Sequence, residues 1–173
     1  MIGPPRYTGA VTLKRSFPPV ADARTRLLIC GSLPGDRSLA ARRYYAHPQN
    51  QFWRLLSPVI GRDLAALDYD DRLAALLDAH IGLWDVVATA TRAGSSDAAI
   101  RDHAPNDLER LAATLPRLRA IAFNGGTAHR IGIQLMKRHA QRYALIALPS
   151  SSPLHTIGIA AKQDAWAALR DYL

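Results

Sequence analysis

Apolar positions along this chain fall into short continuous runs separated by stretches with helical spacing. Arg26-Leu-Leu-Ile-Cys-Gly31, Ile81-Gly-Leu-Trp-Asp-Val-Val-Ala88, Ala120-Ile-Ala-Phe-Asn124 and Tyr143-Ala-Leu-Ile-Ala-Leu148 are too short for helices, which predicts four buried strands, the second interrupted by Asp85. A helix is predicted from near Asn50, carrying Phe52, Trp53, Leu55, Leu56, Val59 and Ile60. Asp70 and Asp71 open the next, where their charges suit the positive end of a helix dipole, with Leu73, Leu76 and Leu77 on one face. Leu108, Leu111, Ala112 and Leu115 follow the i, i+3, i+4, i+7 spacing of a helix over 107–115. Gly125 and Gly126 start another that runs to His139, and a closing helix covers about 158–172 with Trp166 and Leu169 inward. Residues 1–23 hold four of the eleven prolines and little periodicity, so they read as an extended arm; residues 89–106 read as a polar loop. Apolar strands alternating with amphipathic helices imply an α/β fold with a mostly parallel sheet covered on both faces, in which ligands gather at the carboxyl ends of the strands.

At 173 residues the chain is expected to form one domain with a sizeable core. No apolar run approaches the ~20 residues of a membrane span. The N-terminus carries Pro4, Pro5 and Arg6 without an apolar signal core, so a cytoplasmic location is expected. The single cysteine, Cys30, lies in a strand and reads as a buried, inert thiol. His80, His103, His129 and His139 have no metal-like spacing and read as structural or surface groups.

Charge is segregated. Residues 1–62 carry ten Lys/Arg against two acids, 63–109 carry three against ten, and 110–163 carry eight and no acid, within a net charge of +8. If the fold joins the two basic blocks they make one positive face opposite an acidic back, as a phosphate backbone requires. Solvated charges in an arginine-rich chain are the plain alternative.

The densest chemistry lies at Tyr44-Tyr-Ala-His-Pro-Gln-Asn-Gln-Phe-Trp53, where rings, imidazole and amide sit among Arg37, Arg42, Arg43 and Arg54, with no acid from 37 to 54. These groups suit a nucleobase attached to phosphate. Of the adjacent tyrosines, one is expected in the core and the other free to stack on a base, while Phe52 and Trp53 belong to the core. Gly31-Ser-Leu-Pro-Gly35 reads first as a tight turn, yet it would let backbone N–H groups approach a ligand; it lacks the spacing of a phosphate or dinucleotide loop. Asn124-Gly-Gly126 is a turn and cap first and a ligand contact second. Ser150, Ser151 and Ser152, framed by Pro149 and Pro153, are suited to gripping phosphates, with Leu154 or His155 as a wedge into a groove. Asp85 in an apolar strand is costly to bury unless paired, which marks it as functional.

Taken together and in this order, these motifs resemble the uracil-DNA glycosylase superfamily, most closely its hypoxanthine-DNA glycosylase branch, over roughly residues 16–170. The resemblance rests on Phe17-Pro-Pro19, Gly31-Ser-Leu-Pro-Gly35, the segment 44–53, Leu83-Trp-Asp-Val-Val87 with Arg92 and Ser95, Phe123-Asn-Gly125 and Leu148-Pro-Ser-Ser-Ser-Pro153. It implies a three-layer α/β/α sandwich around a four-stranded sheet, and a cofactor-free and metal-free enzyme of base excision repair; with no interface legible in the sequence, a monomer is expected. Such an enzyme flips a deaminated base out of DNA, hydrolyses its N-glycosidic bond and acts close to the nucleoid. It further implies that Gly31, Ser32, Leu33, Tyr45, Asp85 and Asn124 bind the base, Tyr45 by stacking. Pro34, Gly35, Arg37, Arg43, Ser150, Ser151, Ser152, Pro153, Leu154 and His155 would hold the DNA.

Many members place a catalytic Asp or Asn where this chain has Leu33, which cannot orient water. In the hypoxanthine branch the role passes to the asparagine of His-Pro-x-Asn, here Asn50, which can position water, while His47 or backbone N–H groups can stabilise the departing base. Hypoxanthine is therefore expected ahead of uracil or xanthine. The alternatives are a DNA-binding or damage-sensing module without chemistry, and a hydrolase of free nucleosides.

Overall fold

The computed structural model describes residues 11–173. Four strands, β2 (Leu27–Gly31), β3 (Ile81–Asp85), β6 (Ala120–Asn124) and β7 (Ala144–Leu148), make a parallel sheet in the order β3-β2-β6-β7. Successive side chains of a strand point to opposite faces. Leu27 and Ile29 therefore pack with Phe52, Leu55, Leu56, Trp166 and Leu169 on one side, while Leu28, Cys30, Ile121 and Phe123 pack with Leu108, Ala112, Ala128 and Ile131 on the other. The first side is covered by α2 (Phe52–Ile60), α3 (Tyr69–Asp78) and α6 (Ile159–Ala167), the second by α4 (Leu108–Ala113) and α5 (Gly126–Met136). A short helix, α1 (Asp36–Ala41), follows the loop after β2. This is the expected three-layer sandwich, and all four strands fall in the four apolar runs.

A second sheet was not expected. β1 (Thr12–Arg15), β4 (Val87–Arg92) and β5 (Arg101–Pro105) form an antiparallel sheet in the order β1-β4-β5. The run read as one strand over 81–88 is thus divided: β3 ends at Asp85, Val86 and Val87 donate N–H bonds to Gly31 O and Ser32 O, and the chain turns into β4. Part of the segment read as a polar loop over 89–106 is sheet. Of the expected arm over 1–23, residues 1–10 lie outside the described residues. The rest is tied down through β1 and through Val20, which exchanges N–H···O bonds of 2.9 and 2.8 Å with Leu83.

Basic residues of both blocks also gather away from the motifs. Arg26, Arg119 and Arg142 stand at or just before the amino ends of β2, β6 and β7, on the opposite edge from the carboxyl ends where the motifs gather. Among the described residues no helix is long and apolar enough to cross a membrane.

Helix α5 sits close on the sheet because Gly132 faces Phe123: a Cβ there would lie 2.0 Å from the ring. Gly132→Ala is therefore expected to destabilise the fold by about 1–3 kcal/mol through overpacking, measured as a lower midpoint of chemical or thermal unfolding.

Candidate active site

Three neighbouring strands end in Asp85 (β3), Gly31 (β2) and Asn124 (β6), and a cleft of about 530 Å³ opens over them. Its floor and walls come from Gly31–Ser38, Tyr44, Tyr45, His47, Asn50, Ser95–Ala98, Ser150 and the loop Ser152–His155. A second groove of about 420 Å³ between α4 and α5 touches Asn106, Glu109, Gln134 and Arg138. Among the described residues the only buried side-chain polar atom left without a partner is Asp85 Oδ2, in the first cleft and not the second.

The floor depends on the glycine. A Cβ on Gly31 would lie 2.8 Å from Asp85 Oδ1 and 3.2 Å from the Tyr45 hydroxyl, so both oxygens occupy the space of the missing side chain. Asp85 is 4% exposed. Burial, reinforced by the nearby Asp97 carboxylate and opposed by Arg92, pushes its carboxyl up to about 7. Tyr45 is held in the left-handed region at φ 53° by three contacts. Its ring stacks on Phe52 at 3.8 Å and 7°, its carbonyl accepts Trp53 Nε1–H at 3.2 Å, and its hydroxyl accepts Asn124 Nδ2–H at 3.3 Å. One ring face is therefore covered by Phe52, and the hydroxyl keeps its own hydrogen to donate. Tyr44 is the core tyrosine of the pair, its hydroxyl donating to Pro18 O.

Asn124 lines the cleft, but its amide is committed: Oδ1 accepts Ser151 N–H at 2.9 Å and Nδ2 donates to Ser151 Oγ at 2.8 Å as well as to Tyr45. Ser151, expected to grip phosphate, is 1% exposed and faces Asn124. It does not line the cleft; Ser150 and Ser152 do. Their oxygens accept Ser152 N–H and Leu154 N–H, which leaves both O–H groups free to donate outward. Leu154, 68% exposed, and His155 project from the same loop. Arg43, also expected at DNA, is absent from the cleft lining and lies over the Tyr69 ring at 5.4 Å, whereas Arg37 reaches the cleft.

Asn50 and His47 lie side by side through a turn in which Asn50 N–H donates to His47 O. Asn50 Oδ1 accepts Phe52 N–H at 3.0 Å, capping the start of α2, and retains a second lone pair toward the cleft. His47 Nδ1 accepts Gln49 N–H at 3.1 Å, so in the neutral ring the hydrogen sits on Nε2, a donor.

Several supporting roles escaped the sequence reading. Arg92, fully buried, donates to Leu33 O, Pro34 O and Gly94 O at 3.3, 2.6 and 2.8 Å, and so fixes the backbone of the 31–35 loop. Lys14 adds bonds to Asp36 and to Gly94 O. Asp97, whose carboxyl burial raises, accepts the Ser32 hydroxyl at 2.6 Å and lines the wall opposite Tyr45's loop. Among the described residues no group of His, Cys, Asp and Glu is arranged to hold a metal ion.

A three-layer α/β domain with a cleft of this size at the carboxyl edge of its sheet has its cleft where ligands bind in folds of this class. The sequence profile of the Uracil DNA glycosylase superfamily matches residues 18–170. A protein of Methanosarcina barkeri described as a hypoxanthine DNA glycosylase is 40% identical over 154 residues, 89% of this chain and 96% of that one. Another so described, from Methanosarcina acetivorans, is 39% identical over 157 residues, 91% and 98% of the two chains. The solution NMR structure of a candidate uracil DNA glycosylase from Methanosarcina acetivorans superposes with a TM-score of 0.83 at 38% identity, covering 92% of this chain and 97% of that one. The chain belongs to the Uracil DNA glycosylase superfamily.

The buried acid has a consequence for stability. A carboxyl whose folded pKa is raised leaves the folded state holding a proton that the unfolded chain has released, so stability falls as pH rises from about 4 to about 7. Asp85→Asn removes that loss. The variant's midpoint of thermal unfolding is expected to match wild type near pH 4 and to exceed it by roughly 5–10 °C above pH 7, measured by calorimetry across that range.

Proposed function

We propose that this chain is a monomeric, monofunctional DNA glycosylase that takes a deaminated base, hypoxanthine before uracil or xanthine, into the cleft over Gly31 and hydrolyses its N-glycosidic bond. The observation that carries the reading is the pair of oxygens over Gly31. The Tyr45 hydroxyl has a hydrogen to donate, and Asp85 beside it is an acid with one oxygen unpartnered. A donor beside a carboxyl complements the N–H and C=O that adjoin on hypoxanthine and on uracil, and it mismatches the amino edges of adenine and cytosine. That two similar proteins are described as hypoxanthine DNA glycosylases supports the order of preference.

The bond from C1′ to the base breaks with its electron pair leaving on the base, while water adds to C1′ and loses a proton. The sugar becomes oxocarbenium-like, so an oriented water and donors aimed at the departing base are what the site must supply. Asn50 Oδ1 orients the water through its remaining lone pair. His47 Nε2–H and neutral Asp85 donate to the base as it gains negative charge. Ser150 and Ser152 donate to phosphate oxygens, and Leu154 fills the space of the flipped nucleotide, whose unstacking costs a few kcal/mol. Asn124 and Ser151 position Tyr45 and the serine loop. Leu33, 6% exposed in the position where the family resemblance leads one to expect a catalytic Asp or Asn, favours a second reading, binding without chemistry.

One assay separates the two. Purified protein is incubated with duplexes carrying hypoxanthine, uracil or xanthine and abasic sites are cleaved with alkali; release of no base from any duplex overturns the enzyme reading. Asn50→Ala is expected to lower the single-turnover rate about 100-fold or more with DNA binding retained. Because ionised Asp85 repels a leaving anion, the rate is expected to fall as pH rises through about 7, and a pH–rate profile of Asp85→Asn should lack that limb.

A further inference from the structure

Lys162 is completely buried in the first turns of α6, four residues before the core residue Trp166. Among the described residues no carboxylate lies within ion-pair distance of it. Burial pushes its ammonium pKa down, and a cation near the amino end of a helix opposes the helix dipole. A methionine would fill the same space without desolvating a charge. Packing of α6 therefore does not call for lysine here.

What lysine adds is two directed bonds. Nζ donates to Gln51 Oε1 at 2.8 Å and to the carbonyl of His155 at 3.0 Å. Gln51 follows Asn50 and opens α2, and its own N–H donates to Ser151 O at 2.9 Å. His155 belongs to the loop that exposes Leu154 and Ile157. Within residues 153–157 the other hydrogen bonds, from Leu154 N–H and His155 N–H, return to Ser152 in the same loop. Among the described residues, the bond from Lys162 is the only one that fastens this segment to the body of the protein.

We propose that Lys162 is a positioning residue that latches the exposed Leu154–Ile157 loop to the Asn50–Gln51 turn, so that a DNA strand seated on the loop is held in register with Asn50. This rests on the glycosylase reading for its reaction, not for its geometry. The test is Lys162→Met, with Gln51→Ala as a second variant that breaks one arm and leaves the lysine in place. For Lys162→Met the expected results are a thermal midpoint within a few degrees of wild type or above it and loss of amide exchange protection at His155. Affinity for an abasic-site duplex is expected to fall about tenfold, and the single-turnover rate of base release at saturating enzyme about tenfold or more. Gln51→Ala should move the same readouts in the same direction by less.

If Lys162→Met lowers the thermal midpoint but leaves abasic-duplex affinity and the single-turnover rate at wild-type values, the residue is only structural and the proposal fails. If Lys162→Met does not fold, wild-type behaviour of Gln51→Ala in affinity and rate overturns it. A wild-type protein that binds abasic DNA and releases no base overturns the glycosylase reading instead, while the affinity and exchange measurements still decide the latch.

Discussion

Where β3, β2 and β6 finish side by side, the outer two end in polar side chains, Asp85 and Asn124, and the middle one ends in Gly31, which has none. That vacancy lets Asp85 Oδ1 and the Tyr45 hydroxyl meet over the strand end, since any side chain at 31 would occupy the same space. The two flanking residues then take opposite courses. Asn124 spends its amide on Ser151 and Tyr45, locking the serine loop and the tyrosine to the sheet. Asp85 is left with a buried oxygen that nothing in the protein satisfies. A buried polar group without a partner costs free energy that folding must recover elsewhere, and its neighbours explain how it is tolerated: each is fixed by bonds that do not depend on it.

The support around that floor comes from charges that a sequence does not distinguish from surface ones. Arg92 and Lys14 anchor the 31–36 loop by donating to carbonyls and to Asp36, and Lys162 fastens the loop on the opposite wall. Among 22 lysines and arginines, composition gives no reason to single out these three. Their burial is a property of the turn each one enters. Arg92 stood among the motifs of the family resemblance, but as a marker rather than as the residue that holds the loop.

Most of the central fold was legible because it rests on apolar continuity. Strands such as Leu27–Gly31 and Ala120–Asn124 are buried at every position, so they appear as uninterrupted runs. β5 is exposed at all five positions and β1 at three of four, so neither leaves the alternation that marks a half-buried strand. The candidate site was legible for a related reason: polar residues at the ends of apolar strands have few structural uses. The serine triplet marks the limit of that reasoning. Three like residues in a row predict three like roles, but consecutive side chains cannot all face one way, and Ser151 turns inward while Ser150 and Ser152 face the cleft.

On the glycosylase reading, the same geometry reconciles an acidic floor with a substrate that would arrive as a polyanion. In the proposed complex phosphate and base would be met at different depths, phosphate by Arg37 and two serine hydroxyls at the rim and the base by Asp85 on the floor. An ionised Asp85 would repel both a phosphate that strayed inward and a base leaving as an anion. Burial acts against that ionised form. The carboxyl is withdrawn from solvent, and Arg92, near enough to lower its pKa, has its N–H groups occupied by the loop carbonyls. Burial thereby favours the protonated carboxyl up to about pH 7, the state that, in the proposed reaction, would strengthen a bond to a base as negative charge builds on it. The unsatisfied oxygen that weakens the resting fold and the proton that, on the glycosylase reading, would stabilise the departing base thus have one cause: a strand end with a buried acid on it, beside a glycine.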